Sequence, residues 1–227
     1  MTMDWSPILI SMRTAGLSIG FTFFMGILAA WMVVRISHPL VKTILDGIFT
    51  IPLVLPPTVA GFFLLYVFGV KRPVGQFFLE YFSVKIAFSW GATVLAAVVM
   101  SFPLMYRSAR GAFEQVDPDL TAAARTLGMS EWEIFWKVLF ANATPGILSG
   151  GVLAFARGLG EFGATSMIAG NIAGKTRTLP MAVYSEVAAG NMGAADRYVA
   201  VIVVIAFISI LLMNLGALRA GGRKHGA

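Results

Sequence analysis

The stretch that decides the fold is Thr14–Val34, TAGLSIGFTFFMGILAAWMVV, in which no Asp, Glu, Lys or Arg occurs. At about 1.5 Å of rise per residue, a helix of this length can cross a hydrocarbon core of about 30 Å. The period-2 alternation that a membrane-spanning β-barrel needs is absent. We therefore predict a transmembrane helix. Because the run is too long for the core of a signal peptide, we expect this helix to be retained.

Four further stretches lack the same charged residue types: 47–70, 86–106, 138–156 and 198–218. The chain of 227 residues is 58% hydrophobic and 12% charged, about half the charge of a typical soluble domain. We predict an all-α fold: a polytopic helical membrane protein with about five transmembrane helices in one domain, residues 1–227. With flanking residues included, the expected spans are 8–36, 46–70, 86–108, 143–170 and 196–219.

Composition excludes several function classes. The chain has no cysteine, so disulfides, thiolate metal sites and Cys nucleophiles are ruled out. Its two histidines, His38 and His225, form no His/carboxylate cluster at metal-ligand spacing, and no nucleophile elbow is present. We therefore expect no catalytic residues, no metal and no cofactor in this chain. The formal charge of +6 comes from residues that flank the spans, so we expect no nucleic acid partner.

The distribution of Lys and Arg predicts the orientation. With the N-terminus outside, the inner segments hold nine Lys and Arg residues and the outer segments seven. The positive-inside rule then favours an external N-terminus and a cytoplasmic C-terminal tail, residues 220–227. An odd number of spans without an internal repeat argues against the inverted-repeat plan of many secondary transporters, although composition alone leaves a channel or secondary transporter open.

The second span contains Ile51-Pro52-Leu53-Val54-Leu55-Pro56-Pro57. Pro52, Pro56 and Pro57 each remove a backbone donor, and in lipid the freed carbonyls need a neighbour or water in a cavity. We predict a broken helix, which either lies beside a translocation path or is a purely structural kink. Residues 179–192 are apolar but too short to span, and we expect an external or re-entrant helix there.

The fourth span carries two ionisable residues, Arg157 and Glu161. Arg157 lies 12 residues after Pro145, about 18 Å along a helix and close to the middle of the bilayer. Charges at this depth usually pair or line a water-filled path. The i, i+4 spacing predicts a pair on one helix face. That pair is either structural, or it leaves Arg157 to attract a passing anion while Glu161 holds its side chain.

Between the third and fourth spans, the segment 117–133 predicts two short helices. Asp117 can cap the first, with Pro118 at its first position and Gly128 as its terminator. Ser130 and Glu133 form a capping box that starts the second. On spacing alone, this segment is either an ordinary connector or a knob that inserts into a partner.

A resemblance separates these alternatives. Ala122-Ala123-Ala124, followed by Gly128 and then by 132–140, resembles the EAA loop of permease subunits in binding-protein-dependent ABC importers. The resemblance implies a cytoplasmic coupling loop, residues 110–142, that fits a cleft on a separate ATP-binding subunit. The residues it assigns to this coupling are Ala122, Ala123, Ala124, Arg125, Leu127 and Gly128. The sequence departs from the motif at Ala122, where the acidic residue would stand.

The resemblance covers most of the chain. The segments 51–61, 88–90, 101–104, 123–128 and 155–165 resemble molybdate importer permeases, and sulfate and thiosulfate permeases share part of the pattern. This implies a type I (MetI-like) importer fold in the bacterial cytoplasmic membrane, surrounded by lipid. The candidate residues for a path or gate are those named above: Pro52, Pro56, Pro57, Arg157 and Glu161. The implied substrate is molybdate, with tungstate indistinguishable and another oxyanion as the alternative.

The same resemblance implies the partners: cytoplasmic ATP-binding subunits, an external oxyanion-binding protein and a second copy of the chain. Glycine pairs at four-residue spacing, Gly16/Gly20 and Gly146/Gly150, suit a helix-packed homodimer, although packing within one subunit explains them equally well. ATP hydrolysis is expected on the separate subunit. The stretch 169–176, AGNIAGKT, matches a relaxed phosphate-loop pattern, but a P-loop needs a buried strand before it and a long helix after it. We therefore expect no nucleotide site there.

Overall fold

The computed structural model describes residues 4–222, except for the side chains of 213, 214 and 216–222. Within that range the chain forms eleven α-helices and one π-helical segment, and no strand. The first six helices are α1 Ser6–Val34, α2 Pro39–Val54, α3 Pro57–Phe68, α4 Pro73–Phe82, α5 Trp90–Glu114 and α6 Pro118–Thr126. The remaining elements are α7 Glu131–Ile134, the π segment Phe135–Phe140, α8 Ala141–Leu159, α9 Gly163–Ile168, α10 Leu179–Ala188 and α11 Met192–Gly222.

The helix starts follow local chemistry. Proline occupies the first turn of α2, α3, α4 and α6, where its missing N–H has no intrahelical partner to lose. Helix α5 has a side-chain cap, because the Ser89 hydroxyl accepts a hydrogen bond from the backbone N–H of Ala92 at 3.3 Å. Local residues at these positions therefore determine where several of the helices begin.

Four helical stretches are long and apolar enough to cross a membrane: Ser6–Val34, Trp90–Glu114, Glu131–Leu159 and Met192–Leu212. A fifth crossing is available if the bent pair Pro39–Val54 and Pro57–Phe68 counts as one broken span. The predicted class, a polytopic helical membrane protein with about five spans, is confirmed.

Polar contacts show which helix ends lie together. Glu131 at the start of α7 lies 3.3 Å from Arg35 at the end of α1, and Lys42 in α2 lies 2.9 Å from Glu114 at the end of α5. We call this side of the bundle the loop end. At the opposite side, the N-terminal end, the Ser11 hydroxyl accepts the backbone N–H of Leu179 at 2.7 Å. The N-terminus and the segment between α5 and α7 therefore lie on opposite sides.

Helix α5 is the centre of the bundle, with α1 and α8 packed along it. Two hydroxyl pairs join α1 to α5: Thr14 with Thr93 at 2.9 Å, and Thr22 with Ser101 at 3.0 Å. Each of these hydroxyls is buried and therefore requires a partner. The main apolar cluster lies between α1, α5 and α8 and includes Ile27, Val33, Met105, Tyr106, Phe113 and Ile147.

Small residues allow α8 to approach α5. A Cβ at Gly146 would lie 2.7 Å from the Cβ of Ala112, and one at Gly150 would lie 2.4 Å from the Cβ of Ser108. The Gly146/Gly150 pair thus serves packing within the subunit. No atom of another element lies within 4 Å of a Cβ built at Gly16 or Gly20.

The fourth span differs from its expected course. A continuous helical stretch runs from Glu131 through the π segment to Leu159, so it starts earlier and ends earlier than the expected 143–170. The expected coupling loop, 110–142, consequently includes the end of α5 and the first turns of this stretch. The break after Leu159 lies at Gly160, whose backbone no longer continues the helix.

Candidate functional site

The proline-rich segment forms a sharp break. Helix α2 ends at Val54, Leu55 and Pro56 are extended, and α3 begins at Pro57, with the two helix axes 111° apart. The predicted helix break is confirmed. Pro56 and Pro57 are exposed at the break and Pro52 is half-buried within α2.

This break lies against a second one, between α8 and α9. A Cβ at Gly163 would lie 2.7 Å from the Cβ of Pro57, and one at Gly61 would lie 2.6 Å from the Cα of Ala164. Only glycine at these positions allows α3 and α9 to pack at this distance. The structure thus brings together two of the sequence-predicted path elements, the proline break and the Arg157–Glu161 segment.

Arg157 and Glu161 form an ion pair across the end of α8. The guanidinium Nη1 of Arg157 lies 2.6 Å from Oε2 of Glu161, and Oε1 of Glu161 accepts the backbone N–H of Ala164 at 2.7 Å. The predicted pairing is confirmed, but the continuous helix expected to carry both residues is wrong, because α8 ends at Leu159. Glu161 therefore joins the end of α8 to the start of α9.

Burial makes this carboxylate depend on its partners. The Glu161 side chain is 1% exposed and the Arg157 side chain 27% exposed. An ionised carboxylate removed from water costs several kcal/mol unless opposite charge and hydrogen bonds compensate. Glu161 has both, whereas the guanidinium of Arg157 remains partly accessible.

The segment between α5 and α7 has the local structure predicted for it. The Asp117 carboxylate accepts the N–H of Asp119 at 2.9 Å, which caps α6. At the other end of α6, Gly128 has φ +77°, its N–H donates to the Arg125 carbonyl at 2.9 Å, and Met129 N–H donates to the Ala124 carbonyl at 3.1 Å. These two bonds form a Schellman motif, so the helix ends at a rigid turn.

The second predicted cap is also present. The Ser130 hydroxyl accepts the N–H of Glu133 at 3.3 Å, and the Glu133 carboxylate accepts the N–H of Ser130 at 3.1 Å. This capping box starts the helical stretch that continues to Leu159. The turn at Gly128 therefore connects directly to a helical stretch of 29 residues that runs back through the bundle.

The outer surface of α6 is largely uncovered. Ala122, Ala123, Arg125 and Gly128 are exposed, and the Leu127 side chain is 81% exposed. Ala124 alone of the predicted coupling residues is buried. An apolar leucine beside a strip of small residues, on a helix held rigid at both ends, is a surface suited to insertion into a complementary groove.

Sequence reasoning missed the link that holds this segment to α1. Glu131 accepts hydrogen bonds from Arg125 Nε at 2.7 Å and from Arg35 Nη2 at 3.3 Å, and the Arg35 guanidinium also lies 4.7 Å from the centre of the Trp31 ring. The Glu131 carboxylate raises the pKa of Arg125, so this cation stays charged. Arg35 and Glu131 are far apart in the chain, and no spacing rule connects them.

The stretch 169–176 is a turn without a phosphate-loop shape. The backbone N–H groups of Lys175, Thr176 and Arg177 all donate to the Ile172 carbonyl. The Thr176 hydroxyl, which a P-loop would offer to a metal, is buried and bonds the Gly170 carbonyl and the Ile172 N–H. A six-residue helix, α9, precedes the turn.

Comparisons with known proteins agree with this geometry. Residues 22–219 match the family described as "Binding-protein-dependent transport system inner membrane component". The chain is 44% identical over 211 residues to the molybdenum transport system permease protein ModB of Escherichia coli (strain K12), covering 92% of this chain and 91% of that relative. It is 42% identical to the putative molybdenum transport system permease protein YvgM of Bacillus subtilis (strain 168), with 92% of each chain covered.

Two further comparisons are with a more distant relative and with a solved structure. The sulfate transport system permease protein CysT of Escherichia coli (strain K12) is 32% identical, covering 91% of this chain and 74% of that relative. Among solved structures, a chain in inward-facing conformations of the MetNI methionine ABC transporter superposes with a TM-score of 0.73 at 15% identity, covering 94% of both chains. The structural likeness confirms the predicted MetI-like fold.

Proposed function

Because this chain belongs to the family of binding-protein-dependent transport system inner membrane components, we propose that it is the permease subunit of an ATP-driven molybdate importer. The assignment of molybdate as the substrate rests on the 44% identity to a molybdenum permease over nearly the full length of both chains. The identity to a sulfate permease is lower, 32%. Tungstate, a tetrahedral dianion of nearly the same size, is expected to share the path.

The division of labour follows from the family. Permeases of this type work with separate ATPase subunits and with a binding protein, so ATP hydrolysis takes place outside this chain. What this chain must supply is a path through the membrane and a contact that makes the path respond to nucleotide. Its two unusual regions, the paired breaks and the exposed α6, match these two tasks.

The exposed surface of α6 and the Gly128 turn are the proposed contact with the ATPase subunit. The Schellman motif and the capping box hold the turn rigid, so a displacement imposed on it reaches the next helix. That helical stretch runs from Glu131 to Leu159, 29 residues and about 43 Å at 1.5 Å per residue. It ends beside Arg157 and Glu161.

The proposed path runs beside the two breaks. Movement of the helical stretch changes the position of Arg157 relative to Glu161 and α9, and α9 is packed against the proline break through Gly61 and Gly163. A displaced coupling loop can therefore shift both breaks together. We expect an alternating-access cycle in which closure of the ATPase subunits opens this region outward.

Orientation and assembly complete the proposal. An ATPase contact at the loop end puts that end in the cytoplasm, and the N-terminus, on the opposite side of the bundle, is then external. The Lys/Arg distribution favours the same orientation. We expect a homodimer with the path between the two copies. Lipid then covers the remaining apolar helix faces.

The experiment that tests this proposal uses the purified binding protein that is encoded with, or co-purifies with, the permease complex. Isothermal titration against molybdate, tungstate, sulfate and phosphate is expected to give tight binding of the first two oxyanions alone. Preferential binding of sulfate would instead support the second candidate function, a sulfate permease, which the 32% identity to CysT brings into consideration.

A further inference from the structure

One face of α5 carries an arginine that none of the features above uses. Arg107 is exposed, one residue after Tyr106, which contacts α2 through Asp46, and one before Ser108, which lies against α8. Helix α1 covers the other side of α5, where Gly26 approaches Met105. Arg107 therefore stands on the face left open between α2 and α8.

Three clefts meet at this side chain. One of about 620 Å³ lies between α5 and α8 and includes Ser108 and Ser149 in its lining. A second, of about 440 Å³, lies against α2 and includes Thr50. A third, of about 220 Å³, includes Asp46, Arg110 and Glu114. Arg107 lines all three, so its exposed side chain borders each of these clefts.

Three carboxylates line these clefts. Asp46 and Glu114 are neutralised, while Asp117 lines the cleft between α5 and α8 and accepts the N–H of Asp119 at 2.9 Å. Arg110 pairs with both Asp46 and Glu114, and Lys42 lies 2.9 Å from Glu114. Two cations thus balance two anions. The charge of Arg107 is additional to this balanced group of Asp46, Arg110, Glu114 and Lys42.

Arg107 also differs from the other cations on its side of the bundle. The described Lys and Arg side chains at the loop end, apart from Arg107, each have a carboxylate within 4 Å; they are Arg35, Lys42, Arg110, Arg125 and Lys137. Among the described residues, Arg107 has no such partner. An unpaired guanidinium beside serine hydroxyls can bind a tetrahedral oxyanion through its planar donor fork.

Position along the bundle relates this arginine to the proposed path. Gly150 of α8 lies against Ser108, while Gly158 lies 3.8 Å from Ala97 when a Cβ is added, so Arg107 is nearer the loop end than Arg157. We propose that Arg107, with the Ser108 and Ser149 hydroxyls, forms an oxyanion-binding site on the loop side of the path. A dianion leaving the region of Arg157 passes this site before release. This inference rests on the proposed function.

The test uses the complete complex of permease, ATPase subunits and binding protein in proteoliposomes, with [⁹⁹Mo]molybdate outside and ATP inside. Arg107→Gln is expected to lower the initial uptake rate by about tenfold or more, the effect of losing one charge-assisted contact. Arg107→Lys, which keeps the charge but loses the fork, is expected to fall between wild type and Arg107→Gln. Arg13→Gln, an exposed arginine at the N-terminal end, is the matched control and is expected to retain wild-type uptake.

A second readout separates binding from folding. Equilibrium dialysis of molybdate against the permease–ATPase complex without binding protein is expected to show salt-sensitive binding that Arg107→Gln weakens about tenfold, at an unchanged melting temperature. Equal uptake and equal binding in wild type and Arg107→Gln would overturn the inference. Loss of dimer assembly or of thermal stability in Arg107→Gln, with Arg107→Lys restoring it, would also overturn it, because Arg107 would then pair with an acidic group across an interface. If the wild-type complex itself takes up no molybdate, the proposed function fails instead.

Discussion

Glu161 is the one charged side chain that is fully buried among the residues the structure describes. Its two carboxylate oxygens are both used, one by Arg157 and one by the N–H of Ala164. The ion pair of Glu161 with Arg157 either has a structural role alone or also serves the path. These two hypotheses predict different effects of replacing Arg157. If the pair only holds the break together, a lysine at position 157 suffices; if Arg157 also faces the path, uptake depends on the guanidinium.

Removing the partner of a buried charge should be costly. Arg157→Ala is expected to lower the free energy of unfolding by about 3 kcal/mol, the low end for breaking a buried pair, because Arg157 is partly exposed. The measurement is thermal unfolding of the purified complex. The double variant Arg157→Ala/Glu161→Ala is the control and is expected to recover part of the loss, since no unpaired carboxylate remains. Equal loss in the single and double variants would contradict the account of Glu161.

Substitution of Gly128 tests the proposed coupling loop separately from the effect of backbone strain. Gly128 and Gly190 have similar positive φ values, +77° and +75°, and no atom lies within 4 Å of a Cβ built at either position. Replacing either with Asp is expected to cost a similar strain, about 1 kcal/mol. Gly128→Asp alone should abolish stimulation of ATP hydrolysis by the loaded binding protein, because only that turn faces the ATPase subunit in the proposal. Equal stimulation in the two variants would remove the coupling role from this turn.

At the scale of elements, the close contact of α3 with α9 is what joins the two breaks. Gly61→Ala places a Cβ 2.6 Å from the Cα of Ala164, so α3 must move or the complex must lose about 1–3 kcal/mol of stability. Gly193→Ala is the matched control, since its Cβ meets no atom of another element within 4 Å. We expect reduced melting temperature and reduced uptake for Gly61→Ala, with little change for Gly193→Ala. A Gly61→Ala complex as stable and active as wild type would show that the contact is loose.

Local signals in the sequence predicted the elements that depend on local chemistry. The Asp117 cap, the Gly128 terminator and the Ser130/Glu133 capping box were all predictable, because each joins residues no more than five positions apart. The proline break was predictable for the same reason. The end of α8 at Leu159 was not, because the apolar run continues beyond it and no proline marks the break.

Contacts between distant segments were beyond sequence reasoning. Arg35 meets Glu131 only because α1 ends and α7 begins on the same side of the bundle. Gly61 and Gly163 join the two breaks, a contact between distant segments that no local pattern in the sequence indicates. The open face of α5 with Arg107 likewise follows from the packing of α1, α2 and α8. The residues of the candidate site could therefore be grouped only after the packing of the helices was known.

For the whole molecule, exposed apolar side chains identify the surfaces that need a covering. Phe24, Val54 and Phe207 are 73%, 81% and 66% exposed, and many other large apolar side chains are exposed as well. Soluble monomeric proteins rarely expose apolar surface of this extent. These surfaces fit contact with lipid or with a second copy. The bundle also has two distinct ends, with the proposed coupling loop at one and the N-terminus at the other, which suits the proposed directional transport.

The most direct test of the central claim is the uptake of molybdate by proteoliposomes that contain the complete complex, with the binding protein outside. We expect accumulation of molybdate that requires ATP inside the vesicles, is competed by tungstate and is unaffected by an excess of sulfate. Accumulation without ATP, or sulfate uptake in preference to molybdate, would contradict it.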